Sequence, residues 1–164
     1  MTKNQRGFSL TELMVVVAVI GIMGMIAVPT LVTALPGYRL KSSAKDLCSS
    51  MRKARSLAVK QNRSVSIAFN AAAKTYSIDG GTPAELPEGI SFGHGNATTA
   101  GGGASLPSDG ISFVDDKVAF TTQGLISGGS GYVYLQNEKG QAYRVGARTS
   151  GSIIMQQWAG NAWK

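Results

Sequence analysis

The stretch Gly7-Phe8-Ser9-Leu10-Thr11-Glu12-Leu13-Met14-Val15-Val16-Val17 decides how the chain is read. A short leader carrying Lys3 and Arg6 precedes it, and residues 13–28 follow without one charged or conventionally polar side chain. Residues 8–35 would measure ~42 Å as a helix at ~1.5 Å per residue. A bilayer core needs ~20 apolar residues, so this run is long enough to cross one. Lys3 and Arg6 before the span predict a cytoplasmic N-terminus. A cleaved secretory signal fits less well, because the apolar run is too long and Ala27-Val28-Pro29 is a poor small-residue cleavage site. A plain uncleaved anchor leaves Glu12 without a reason, since a carboxylate beside an apolar span is costly and usually functional.

The segment Gly7-Phe8-Ser9-Leu10-Thr11-Glu12-Leu13 resembles the class III signal of type IV prepilins and type II secretion pseudopilins. Pro29 also falls where that family commonly carries a helix-breaking proline. The resemblance implies cleavage after Gly7, N-methylation of the new terminal Phe8, and an assembly contact from Glu12 to a neighbour's terminal amine. It further implies a prepilin peptidase/methyltransferase, an inner-membrane assembly platform, and other pilins or pseudopilins in a helical filament as partners. Membrane lipid surrounds the helix before assembly. The implied location is the bacterial inner membrane, single-pass, with a periplasmic β domain that later joins the filament. Physical chemistry is consistent with the pairing: a carboxylate in a low-dielectric core needs a cationic partner.

Outward from the span, Pro36-Gly37 is expected to kink or locally melt the helix. Leu40, Ala44, Leu47, Met51, Ala54 and Ala58 then recur at spacings of 4, 3, 4, 3 and 4, which is one apolar stripe on a helix. Residues 39–63 hold eight Lys/Arg against Asp46, so the basic character of the chain is concentrated there. Those cations read as a solvated flank, as contacts to anionic lipid or acidic neighbours, or, without interleaved aromatics, least well as a nucleic-acid surface. Cys48 lies at the stripe's edge, and alone it excludes an internal disulfide scaffold.

Beyond Arg63 the pattern changes to a period of two. Residues 64–69 and 75–79 alternate and read as a hairpin. Further strand-like runs cover residues 89–92, 111–114, 118–122, 132–136, 143–147 and 152–158, separated by glycine clusters. The expected class is α+β: a long N-terminal helix packed on a C-terminal antiparallel β domain. The expected organisation is a leader at 1–7, a membrane or filament-core helix at 8–35, a basic amphipathic helix at 36–63 and the β domain at 64–164. Residues 93–110, with His94, are the longest stretch without a pattern and read equally as a contact loop or as disorder.

Ala54-Arg55-Ser56-Leu57-Ala58 resembles the minor pilins and pseudopilins of the GspH/FimT type, as do Phe120-x-x-x-Gly124, Gly128-Gly129 and Tyr132-Val133-Tyr134-Leu135. This implies a structural subunit that primes assembly or sits at the tip. The alternative is a DNA-binding minor pilin of an uptake system. Some relatives bind DNA through a Gly-Arg-x-Arg strand, but here the strand reads Gly151-Ser152-Ile153-Ile154. Arg144 and Arg148 are the candidate DNA contacts, with Trp158 read as core and Trp163 as a terminal surface residue. No nucleophile–base pair, zinc ligand set or calcium loop is legible, so neither an enzyme nor a cofactor is expected.

Overall fold

The computed structural model describes residues 8–100 and 105–164. The chain divides into two compact units, Met1–Leu35 and Pro36–Lys164. Helix α1 runs over Leu10–Gln61. It passes through Pro29 and Pro36 without interruption, so the melting expected at Pro36-Gly37 does not occur. Each proline removes one amide donor, and threonines on the surrounding turns add hydroxyl bonds to the backbone. Thr30 Oγ1 donates to the Ala27 carbonyl at 2.8 Å and Thr33 Oγ1 to the Thr30 carbonyl at 2.9 Å.

All six residues of the predicted stripe are fully buried, at 0 % exposure. They form one core with Val65, Ile67 and Phe69, Val118 and Phe120, Val133 and Leu135, and Tyr143 and Val145. Cys48 lies inside this core rather than at its edge. Each fully buried Leu or Met contributes ~1.5–3 kcal/mol relative to exposure, so the stripe holds the basic half of α1 on the β domain.

The strands are β1 Val65–Asn70, β2 Thr75–Ile78, β3 Ala84–Glu85, β4 Ile90–Phe92, β5 Lys117–Phe120, β6 Ile126–Ser127, β7 Gly131–Asn137, β8 Ala142–Ala147 and β9 Ile153–Gln157. They build two antiparallel sheets, ordered β3-β2-β1-β5-β6 and β4-β7-β8-β9. The β1–β2 hairpin pairs Ile67 with Ile78 and Asn70 with Thr75. Its turn is fastened by Asn70 Oδ1, which accepts the Ala73 amide at 2.9 Å.

Residues 111–114 do not form the expected strand. Ile111 makes an isolated bridge to Val133, and Val114–Asp116 is a single 3₁₀ turn. Asp115 and Asp116 both take left-handed backbone, φ 55° and 51°, which aspartate tolerates better than the valine or isoleucine a strand prefers. The two-residue strands β3 and β6 were too short for a periodic signal.

Strand β1 is buried at alternate positions, whereas β8 is buried at all six. One face of β8 joins the core beneath α1. The other is covered by a separate cluster of Ala97, Ala100, Tyr134, Ala142 and Trp163. The stretch 93–100 is therefore packed onto its own sheet, not extended into solvent. Asn96 donates its amide to the Gly140 carbonyl at 2.8 Å and Gly95 its amide to Gln136 Oε1 at 2.7 Å.

Candidate functional site

Two regions carry the residues singled out by sequence, and each belongs to its own unit. The first is the start of α1. Gly7 lies outside the described residues. Phe8 is 79 % exposed, and Glu12 stands exposed in the first turn of α1. That turn is closed by the Leu13 amide on the Ser9 carbonyl at 3.1 Å, with the Ser9 and Thr11 hydroxyls 2.7 Å apart. A carboxylate in a first turn interacts favourably with the unpaired helix N–H groups.

Along this part of α1 the large apolar side chains are exposed: Leu13, Met14, Val17, Ile20, Met25, Ile26 and Leu31 all face outward. No residue of its most apolar 18-residue window is buried, and the mean hydropathy there is 2.6. A contiguous apolar surface of this size needs a bilayer or other protein around it. Glu12 sits at the edge of that surface and has no ion-pair partner among the described residues. The arrangement can insert in lipid, pack against like helices, and present one carboxylate to a cation.

The second region is the outer face of β8. Arg144 is only 7 % exposed. Its Nε and Nη2 donate to Gln156 Oε1 at 3.0 and 2.7 Å, and its Nη1 donates to the Ala100 carbonyl. The guanidinium carbon lies 4.3 Å from the centre of the Tyr132 ring and 4.8 Å from that of Trp163. This is a buried cation held by hydrogen bonds and ring faces. Burial also raises the pKa of the Tyr134 hydroxyl above its ordinary value.

The two arginines named as DNA contacts are thus placed differently. Arg144 is enclosed, whereas Arg148 is exposed just past β8. Trp163 is not the surface residue expected, and Trp158 packs against the same cluster while staying partly exposed. Trp163 is the buried one, donating from Nε1 to the Thr99 carbonyl at 2.7 Å, while Trp158 is half-buried beside it with ring centres 5.2 Å apart. An isolated bridge between the two tryptophans folds the tail back, and this bridge, invisible to period counting, moves Trp163 inward.

Sequence reasoning missed Tyr132 and Gln156 as partners of Arg144. A partial signal was present: in Ala142-Tyr143-Arg144-Val145-Gly146-Ala147 the face opposite Tyr143, Val145 and Ala147 holds small Ala142 and Gly146 on either side of Arg144, where a polar-out face would carry several polar residues. Gly146 belongs to the same device, since a Cβ there would strike the Tyr132 ring. His94 is half-buried, and its Nδ1 is buried without a hydrogen-bond partner. Among the described residues no group of three metal-ligating side chains gathers.

Comparison with known proteins bears on both regions. Residues 2–28 match the prokaryotic N-terminal methylation motif, and residues 43–151 match the family of type II transport protein GspH. No curated protein sequence matches the chain. Among solved structures, the minor pseudopilin EpsH from the type 2 secretion system of Vibrio cholerae aligns at 13 % identity. It covers 73 % of this chain and 97 % of that one, with a TM-score of 0.51. The type IV minor pilin FimU of Pseudomonas aeruginosa aligns at 18 % identity over 76 % of this chain and 97 % of that one, with a TM-score of 0.49. The GspH model spans most of the β domain and the amphipathic half of α1, so the chain belongs to the GspH family, the GspH/FimT-type branch of the pilin and pseudopilin superfamily.

Proposed function

We propose that the chain is a minor pilin or pseudopilin that is processed at Gly7/Phe8, waits in the bacterial inner membrane, and assembles through α1 into a filament. The single observation that carries this reading is the joining of two matches in one chain. The N-terminal methylation motif covers residues 2–28 and the GspH family model covers residues 43–151. The exposed apolar half of α1 supports it, because a helix with no buried residue in its apolar window needs lipid or other helices. Processing after Gly7 removes Lys3 and Arg6, two charges that oppose transfer out of the bilayer. In this reading Glu12 pairs with the terminal amine of a neighbouring subunit, and Phe8 is the methylated residue. The β domain faces the periplasm. The partners are the prepilin peptidase/methyltransferase, the assembly platform and other pilins or pseudopilins.

The test is incorporation. Glu12→Ala is expected to leave processing intact while lowering the amount of the chain in sheared filaments by about tenfold, as for loss of a buried charge pair worth ~1.4 kcal/mol or more. Normal incorporation of this variant would remove the pairing role.

A further inference from the structure

We infer that Tyr38, Lys41 and Lys45 form an interfacial collar that binds the anionic phosphate headgroups of the bilayer before the subunit is drawn into a filament. The inference rests on the proposed membrane-anchored state. Tyr38, Lys41 and Lys45 stand at i, i+3 and i+7 on α1, hence on one face. The interleaved Leu40, Ala44 and Leu47 are fully buried, so the collar faces away from the β domain. Tyr38 is 68 % exposed, an unusual position for a large aromatic side chain with a core available to receive it. Tyrosine is enriched where an apolar body meets a wet boundary, and lysine reaches from such a boundary with its ammonium in the headgroups.

Position along the chain fits the same boundary. Tyr38 follows the apolar residues 8–35 by three positions and Lys45 by ten, or ~15 Å at helical rise. That range covers the headgroup layer and the Debye length beyond it at ordinary salt.

Charge supplies the specificity. Neither lysine has a carboxylate within ion-pair distance among the described residues. The acids near this end of the helix are Asp46, next to Lys45, and Glu88 and Glu138, which share a cleft with Arg39. Arg39 is therefore left out of the collar. Two unpaired cations following an exposed tyrosine on one helix face match an anionic surface better than a zwitterionic one. Assembly then has to break this contact, so the collar holds unassembled subunits at a fixed depth.

The experiment is amine-reactive labelling of the full chain in nanodiscs, read by mass spectrometry at each lysine. One set of discs is phosphatidylcholine alone and the other contains phosphatidylglycerol as well. Lys41 and Lys45 are expected to label several-fold more slowly in the anionic discs, with Lys60 unchanged and the protection lost at high salt. Equal rates at Lys41 and Lys45 in the two lipids would overturn the inference and leave the anchored state standing. Failure of the chain to enter either disc would overturn both. Protection in assembled filaments but not in anionic discs would assign the lysines to a neighbouring subunit instead of lipid. Lys41→Gln and Lys45→Gln, each at an exposed site and tested singly, are expected to keep the fold and to reduce the lipid dependence of labelling at the remaining lysine severalfold.

Discussion

Arg144 shows how burial changes the meaning of a residue. Read alone it is a basic side chain near the end of the chain and a candidate for phosphate. In the fold it is the pin that ties the 93–100 stretch, β9 and the tail to the back of β8. Removing it leaves Gln156 Oε1 and the Ala100 carbonyl without their donor and opens a gap between two rings. Arg144→Ala is expected to cost ~2–4 kcal/mol of stability and to red-shift the fluorescence of Trp163, measured by urea unfolding and emission spectra. Arg148→Ala, at an exposed site, is expected to change stability by less than ~0.5 kcal/mol.

Two carboxylates give opposite pH behaviour at the same scale. Asp79 accepts a hydrogen bond from Arg63 Nη2 at 2.5 Å, which holds its pKa below the ordinary value. Its contribution is present above the unfolded pKa and is lost as pH falls through the lowered folded value. Asp116 is held above its ordinary value, first by partial burial and then by Asp109 and Asp115. A carboxyl with a raised folded pKa favours the fold below its unfolded pKa and loses that contribution as pH rises through the folded one. Asp116→Asn is therefore expected to raise Tm at neutral pH and to flatten the fall of Tm across weakly acidic pH. Thermal melts across that range check it. Asparagine keeps the left-handed backbone at that position tolerable.

Among elements, α1 was the most legible and also the one most misjudged. The 4-3-4-3-4 stripe named its buried face residue by residue, because a single helix on one core has a strict period. The prolines mislead, since each removes one amide donor yet α1 runs through both from Leu10 to Gln61. The long strands read correctly for the same reason as the stripe. The two-residue strands β3 and β6, the 3₁₀ turn at Val114–Asp116 and the Trp158–Trp163 bridge depend on tertiary pairing and leave no local period. The candidate residues divide in the same way: a local motif singles out Phe8 and Glu12, whereas the partners that enclose Arg144 come from β7, β9 and the tail and leave no local motif. Leu47→Ala, at the centre of the stripe, is expected to destabilise the β-domain unit by ~2–5 kcal/mol in urea unfolding. Substituting exposed Ser49 by alanine, two positions away, is expected to have almost no effect.

At the scale of the whole molecule, the chain joins a unit that satisfies itself to one that does not. Residues 36–100 and 105–164 bury a continuous core and cover both faces of β8. The apolar residues of α1 before Pro36 bury nothing within the described chain. Membership of the GspH family and the N-terminal methylation motif accord with that difference, and in the proposed function the uncovered end serves lipid and then neighbours. The proposed function rests on the chain being cut and modified where the apolar run begins. The most direct test is the intact mass and N-terminal peptide of the chain, purified from membranes of cells that also express a prepilin peptidase. The account predicts a mature chain beginning at N-methylated Phe8. An intact Met1, or a cut near Ala34, would contradict it.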